Sequence, residues 1–493
     1  MTIAKNADRP LEDTLRAPIA EAMNVYERAG ALAFHTPGHK QGLGAHPLLR
    51  ELITAKGLRE EVSLMEELDD LHEPTMCIKE AEDLAARLYD ADRAYFMING
   101  TTGAIHTMLM AVLNPNDKVL VPRNAHRSMI GGMILAGAEP VYMNVEVDNE
   151  FGIPLGVNVE TIKQTILANP TARAIALVYP SYYGVTIDLA AAINFAHEKG
   201  LVVLVDEAHG AHLKFSDWLP NQAIDLGADI VAQSTHKIVG SLTQTSILLA
   251  KGRRIDYERL REAASLLAST SPNQLLLASL DIARLQLAET GKERVNYAVK
   301  LANALRIKIN AITGLRTLEK KDLPQGFDLD LTKITVNVRA LGISGVQAEK
   351  YLRYECKIQC ELSDAYNVLF IISYADTAEV GARLLLALEK LAAHFKGRQE
   401  IFAVTTKMPS MPRCALLPRQ AFFAPKTSIN FKTAAGKISA EQVMFYPPGI
   451  PILSPGDRIT KEILEYILAM QGLGLKIVGP KDTALKTIKV VQD

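Results

Sequence analysis

LVVLVDEAHG (201–210) and DIVAQSTHK (229–237) decide how this chain folds. Each is a short apolar run that stops abruptly on polar residues. Leu201–Val205 gives way to Asp206, Glu207, Ala208, His209 and Gly210, and the second run gives way to Ser234, Thr235, His236 and Lys237. Apolar runs of strand length, bounded by polar or turn residues, predict strands buried on both faces. Moving outward, the same signal recurs at Ala94–Ile98, Lys118–Val121, Pro140–Met143, Ala174–Val178 and Thr245–Leu249. Helical periodicity fills several of the gaps, at Ala104–Leu113, Val159–Ala168 and Leu189–Glu198. This alternation predicts an α/β fold with a mixed, mostly parallel sheet covered on both sides. Ligands of such sheets bind beyond the carboxyl ends of the strands, so the residues that end each run are the candidates for chemistry.

Four strand ends carry chemistry-bearing residues. Lys237 follows the strand DIVAQ, where burial can lower its pKa as a Schiff-base nucleophile requires; standing alone, it reads rather as a solvated loop lysine. Asp206 ends its strand and could hold a protonated ring nitrogen, or simply cap a turn. Glu207 should face the other side of an extended chain. Asn99-Gly100-Thr101-Thr102-Gly103 precedes a helix, which offers free N–H groups and two hydroxyls to a phosphate; the alternative is a threonine N-cap. The turn is neither a Walker A loop nor a dinucleotide-binding GxGxxG. His126, after Lys118–Val121, could stack on a flat ring. A phosphate turn, a stacking residue, an acid and a lysine in this order resemble fold type I pyridoxal 5'-phosphate (PLP) enzymes, the aspartate aminotransferase superfamily.

The rest of the chain sets bounds. It has 493 residues, 48% hydrophobic and 22% charged, with 54 basic against 55 acidic side chains. That balance offers no global attraction to nucleic acid or to an anionic membrane. The amino terminus lacks the apolar core of a signal peptide, and the apolar runs are too short to span a bilayer. Cys77, Cys356, Cys360 and Cys414 form no metal-binding pattern and predict reduced thiols in a cytoplasmic protein. Residues 11–29 read as an amphipathic helix ended by Gly30, followed by the His-rich loop FHTPGHKQGLGAHP (34–47). After about residue 310 the alternation loosens into Lys333–Val338, Tyr366–Ser373 and the helix Ala378–His394. The expected organisation is an N-terminal helical arm (1–33), a large PLP-binding domain (34–310) and a smaller α+β domain (311–493).

Longer motifs sharpen the resemblance. FHTPGHKQG (34–42), LDDLHEP (68–74), NGTTGAI (99–105), PRNAHRS (122–128), YYGV (182–185), VDEAHGAHLKF (205–215), QSTHK (233–237), SLTQTSIL (241–248), LLLASLD (275–281) and YPPGIPILSPGD (446–457) occur in order. Together they make the chain similar to the bacterial ornithine/lysine/arginine decarboxylases, and most similar to the short members without an N-terminal wing domain. The resemblance implies that Lys237 carries PLP as a Schiff base and Asp206 pairs with its ring nitrogen. It implies that His126 stacks on the ring, and that Thr101, Thr102 and Ser234 hold the phosphate. It places His209 beside the ring and His236 beside the Schiff base as a proton donor. It also implies active sites completed at a homodimer interface, with further assembly open.

The reaction so implied is decarboxylation of a basic amino acid, arginine to agmatine first, with lysine or ornithine as alternatives. Either product class would serve polyamine biosynthesis. Asp457 stands where many members have glutamate, so it is a candidate for the distal cation of the substrate. His35 and Asp70 are further candidates, as are Asp69 and Glu73 in the acid-rich run from 60 to 73, whose plainer reading is a charged helix face. Two other readings stay open: an aminotransferase or lyase, in which Arg413 or Arg419 would clamp the α-carboxylate, and a non-catalytic PLP-binding regulator.

Overall fold

The computed structural model describes residues 15–63, 65–397, 401–403, 409–445 and 449–492. All seven expected strands form one sheet: β1 (Arg93–Met97), β2 (Lys118–Pro122), β3 (Glu139–Met143), β4 (Ala172–Val178), β5 (Val202–Asp206), β6 (Ile230–Gln233) and β7 (Ser246–Ala250). Their order is β1-β7-β6-β5-β4-β2-β3. Only β7 runs against its neighbours, pairing antiparallel with both β1 and β6, while the other pairs are parallel. The apolar runs are continuous because both faces are buried. Along β5, Val203 and Val205 enter one hydrophobic core, and Val202 and Leu204 enter the core on the opposite face.

The helices Val159–Ala168 and Leu189–Glu198 lie where their periodicity placed them. The helix expected from Ala104 starts earlier, at Gly100, and runs to Val112. It thus absorbs the Thr101-Thr102 turn into its own first turn. Gly100 enters it with φ +65°, a conformation that side chains disfavour. The amino-terminal helix is Pro18–Ala29, shorter than the 11–29 expected. Proline suits the first helical position, and Gly30 closes the helix in the left-handed conformation. Residues 11–14 lie outside the described residues. Ile19, Met23 and Tyr26 pack into the core of the large sheet, so this helix is anchored against that body.

Helix Gln274–Asn310 is continuous over 37 residues. Its first part, through Leu277, Leu287 and Val299, packs under the large sheet. Its last part, through Ala302, Leu305 and Ile309, belongs to a third core, beyond the two that flank the sheet. That core takes its residues from the strands Lys333–Asn337 and Asn367–Ile371 and the helix Ala378–His394, and the strands Arg316–Thr317 and Leu362–Ser363 complete the four-stranded sheet. A separate core around helix Lys461–Gly472 contains Phe431, Val443, Leu453 and Val490. The stretch expected as one small domain therefore holds two cored parts. Among the described residues no helix is long and apolar enough to cross a membrane.

Candidate active site

The carboxyl ends of β1, β2, β4, β5 and β6 open onto a cavity of about 580 Å³. Because β7 is reversed, its first residue, Ser246, arrives at this same edge, opposite Met97. Lys237 sits in the short helix Thr235–Ile238 directly after β6. Its Nζ is hydrogen bonded to His209 Nε2 at 3.1 Å and lies 5.8 Å from the ring centre of Tyr182. Burial lowers the lysine's pKa from its ordinary value, and the charges of Asp206 and Glu361 oppose that shift.

Asp206 is the last residue of β5 and is level with Ala232 on β6. It is 4% exposed, and its Oδ1 accepts a hydrogen bond from Ala208 N at 3.1 Å. Burial raises its pKa, and Lys237 pulls it back down. Glu207 turns away from the cavity, where its carboxylate meets Ala223 N and Gln233 Nε2, both at 2.7 Å.

Three hydroxyls meet where β1 and β6 end and β7 begins. Thr101 Oγ1 is hydrogen bonded to Ser234 Oγ and, at 2.9 Å, to Ser246 Oγ, which donates to Gln233 O at 2.7 Å. Thr101 and Ser234 are buried and Thr102 is exposed at the rim; all three line the cavity at the start of helix Gly100–Val112. The Thr101-Thr102 turn is thus both the first turn of a helix and part of the cavity wall.

Three histidines line the cavity. His126 caps helix Arg127–Ala136, with Nδ1 2.8 Å from Ser128 Oγ, and burial followed by the nearby Lys237 charge pushes it down to about 4. His209 is pushed well below its usual value by burial and Lys237, and its Nδ1 has no hydrogen-bond partner. His236 is lowered by burial; its Nδ1 donates to Thr245 O at 2.6 Å, which leaves Nε2 as the ring atom able to exchange a proton.

Other cavity residues were not singled out from the sequence. Tyr182 came only as part of YYGV; its ring lies 4.4 Å from that of His209, and its hydroxyl donates to Glu361 Oε1. Glu361 precedes strand Leu362–Ser363, more than a hundred residues beyond Lys237 and outside any strand-end pattern. Ile450 reaches the cavity from the C-terminal part, beside Gly449, whose carbonyl accepts from Arg127 N at 3.2 Å. Residues 446–448 of the YPPG motif lie outside the described residues.

The acids considered for the distal end of the substrate are elsewhere. Asp457 is 1% exposed, paired with Arg123, and accepts from Ser454 N at 2.8 Å; it does not line the cavity. Asp70 Oδ1 accepts from His72 N at 2.9 Å in a turn. Buried Asp69 gathers the backbone N–H groups of Asp70, Thr75, Met76, Ile78 and Lys79, and Glu73 lines a different surface hollow. His35 is hydrogen bonded to the Tyr26 hydroxyl at 2.9 Å, away from the cavity. Arg413 and Arg419 are exposed, and no arginine is among the described residues lining the cavity.

A phosphorylated pyridine aldehyde fits what is present. The buried lysine offers a nucleophile and Asp206 a carboxylate at the cavity floor. The hydroxyl group of three sits by a helix N-terminus, which favours a phosphate, and the unpartnered His209 Nδ1 awaits a polar neighbour. The chain is 42% identical over 479 residues to the arginine decarboxylase of Bacillus anthracis, covering 97% of both chains. The crystal structure of the Francisella novicida lysine decarboxylase superposes with a TM-score of 0.85 at 22% identity, covering 97% of this chain and 82% of that one. An alanine–glyoxylate aminotransferase from Nostoc shares the fold more distantly, with a TM-score of 0.53 at 17% identity, over 65% of this chain and 88% of that one. Residues 17–326 match the family model of the Orn/Lys/Arg decarboxylase major domain, and residues 399–481 match that of the C-terminal domain. The chain belongs to the Orn/Lys/Arg decarboxylase family.

Proposed function

We propose that this protein decarboxylates a basic L-amino acid with PLP, and that arginine, giving agmatine and CO₂, is the preferred substrate. The observation that carries the reading is that Lys237 and Asp206, at the ends of adjacent strands, face one cavity next to the hydroxyls of Thr101 and Ser234. The arginine preference rests on the curated relative that is 42% identical over nearly the whole chain. When bound, PLP supplies an electron sink for the pair left at Cα as CO₂ departs.

The chain's own residues would divide the work as follows. Lys237 would hold the cofactor through Nζ, and Asp206 would keep the ring nitrogen protonated. Thr101, Thr102 and Ser234 would hold the phosphate, and His126 and His209 would pack against the ring. His236, with Nδ1–H tied to Thr245 O, can hold a proton at Nε2 and deliver it to Cα; Lys237 Nζ is the other group placed to do so. The reading includes a cytoplasmic homodimer working in polyamine synthesis; the four unpaired thiols fit a reducing compartment.

Incubating the purified protein with PLP and arginine, lysine or ornithine, and identifying the amine formed, tests the proposal. Agmatine is the expected product, whereas cadaverine or putrescine would move the preference to lysine or ornithine. Lys237→Ala should abolish both turnover and the visible absorption of bound cofactor. Full activity of that variant would refute the assignment.

A further inference from the structure

A substrate whose side chain ends in a cation must place that charge against a counter-charge once the cavity closes around it, because an unpaired charge removed from water is strongly disfavoured. Two carboxylates are among the described residues lining the cavity, Asp206 and Glu361. Asp206 is buried at the strand end, with Oδ1 engaged by Ala208 N, and serves the cofactor ring in the reading above. Glu361 differs in every respect. It directly precedes the strand Leu362–Ser363 of the smaller sheet and stands exposed at the cavity wall, and the reading above gives it no part in holding the cofactor.

We infer that Glu361 receives the cationic end of the substrate side chain, with Tyr182 as its positioning residue. The inference rests on the proposed decarboxylation of a basic amino acid. Tyr182 donates its hydroxyl to Glu361 Oε1, and its ring is held against His209, which in turn is hydrogen bonded to Lys237. The carboxylate is therefore oriented by a residue tied to the reacting end of the site. Oε2 takes no hydrogen bond from the described residues, and an ionised carboxylate has lone pairs for several donors. A guanidinium presents its donors as a planar fork that matches a carboxylate, so arginine would use both oxygens. Glu361 is near enough to Lys237 for its charge to act on the lysine, as an acid sharing the cavity should.

The test compares arginine with citrulline, which has nearly the same shape and a neutral end group, in the PLP-loaded wild type and in Glu361→Gln. The variant should raise KM for arginine at least about 30-fold, as expected for deleting one partner of a desolvated ion pair, with kcat changed less than about threefold. The preference for arginine over citrulline should shrink by the same factor. Calorimetric titration with agmatine should show a matching loss of affinity, without any turnover. Tyr182→Phe should raise KM less, by about three- to tenfold, for loss of one orienting hydrogen bond. Should Glu361→Gln fail to take up cofactor, Glu361→Asp and Tyr182→Phe give the same comparison with smaller shifts. A KM for arginine that stays within about threefold of the wild type overturns the inference. A parallel fall for arginine and citrulline also overturns it, since the glutamate would then act on structure or on Lys237. A wild-type protein that releases no amine from arginine, lysine or ornithine overturns both readings; wild-type activity with an unaltered KM in Glu361→Gln overturns this one alone.

Discussion

Asp206 and Glu207 are consecutive residues that face opposite ways: Asp206 lines the cavity with Lys237, and Glu207 is enclosed behind the strand between Ala223 and Gln233. The alternation of an extended chain produces the split. Burial pushes the Glu207 carboxyl up to about 8, so it is mostly protonated at neutral pH.

That contrast predicts opposite outcomes for two nearly isosteric substitutions. Glu207→Gln should leave activity within about twofold and stability within about 1 kcal/mol, because the amide keeps the contact with Ala223 N and can donate to the unpartnered Gln233 Oε1. Asp206→Asn should lower kcat/KM by about two orders of magnitude or more, because an amide does not stabilise a protonated ring nitrogen. Steady-state kinetics and thermal unfolding on both variants check this. Equal losses would mean that the two acids do not have separate roles.

The hydroxyls of Thr101 and Ser234 should contribute to cofactor affinity. Removing one hydrogen bond in Ser234→Ala should raise the Kd for PLP about tenfold. Absorbance titration of the cofactor-free protein measures it. An unchanged Kd would leave these hydroxyls the smaller task of tying β1, β6 and β7 together.

The buried histidines make the fold acid-sensitive. An unfolded histidine titrates at about 6.5, whereas His126 is pushed down to about 4 by burial and by Lys237. Stability is therefore complete above about pH 6.5 and is lost as pH falls towards 4, because the unfolded chain binds a proton that the folded site refuses. The loss is up to about 3 kcal/mol from His126. His209 and His236 are shifted in the same direction and add to it. His126→Asn, which keeps a side chain able to cap the helix, should lose less stability than the wild type between pH 7.5 and pH 5. Thermal unfolding of the cofactor-free proteins at the two pH values decides it; identical losses would contradict a neutral buried His126.

Asp457 and Arg123 join the C-terminal part to the loop that carries His126. Removing one partner of a buried pair leaves an uncompensated charge, which costs about 3–5 kcal/mol. Asp457→Ala should thus lower the thermal midpoint clearly while KM for substrate changes little, since the carboxylate does not line the cavity. A large rise in KM without loss of stability would return Asp457 to the substrate site.

The sequence by itself determined the sheet, the helices between its strands, and the four strand ends that carry Lys237, Asp206, Thr101 and His126. These were legible because each strand is buried on both faces and reads as an unbroken apolar run, and because ligand chemistry in such sheets gathers where the runs stop. The reversal of β7 was not legible, since an apolar run reads the same in either direction; yet that reversal brings Ser246 to Thr101. Nor was the work of the acids between 60 and 73, where Asp69 ties a turn together through five backbone N–H groups. Asp457 looked like a substrate ligand until the fold set it against Arg123. Glu361 had no local signal at all. Strand-end position is encoded by neighbouring residues, whereas what lies across a cavity depends on how separately cored parts pack, and only the tertiary structure decided that.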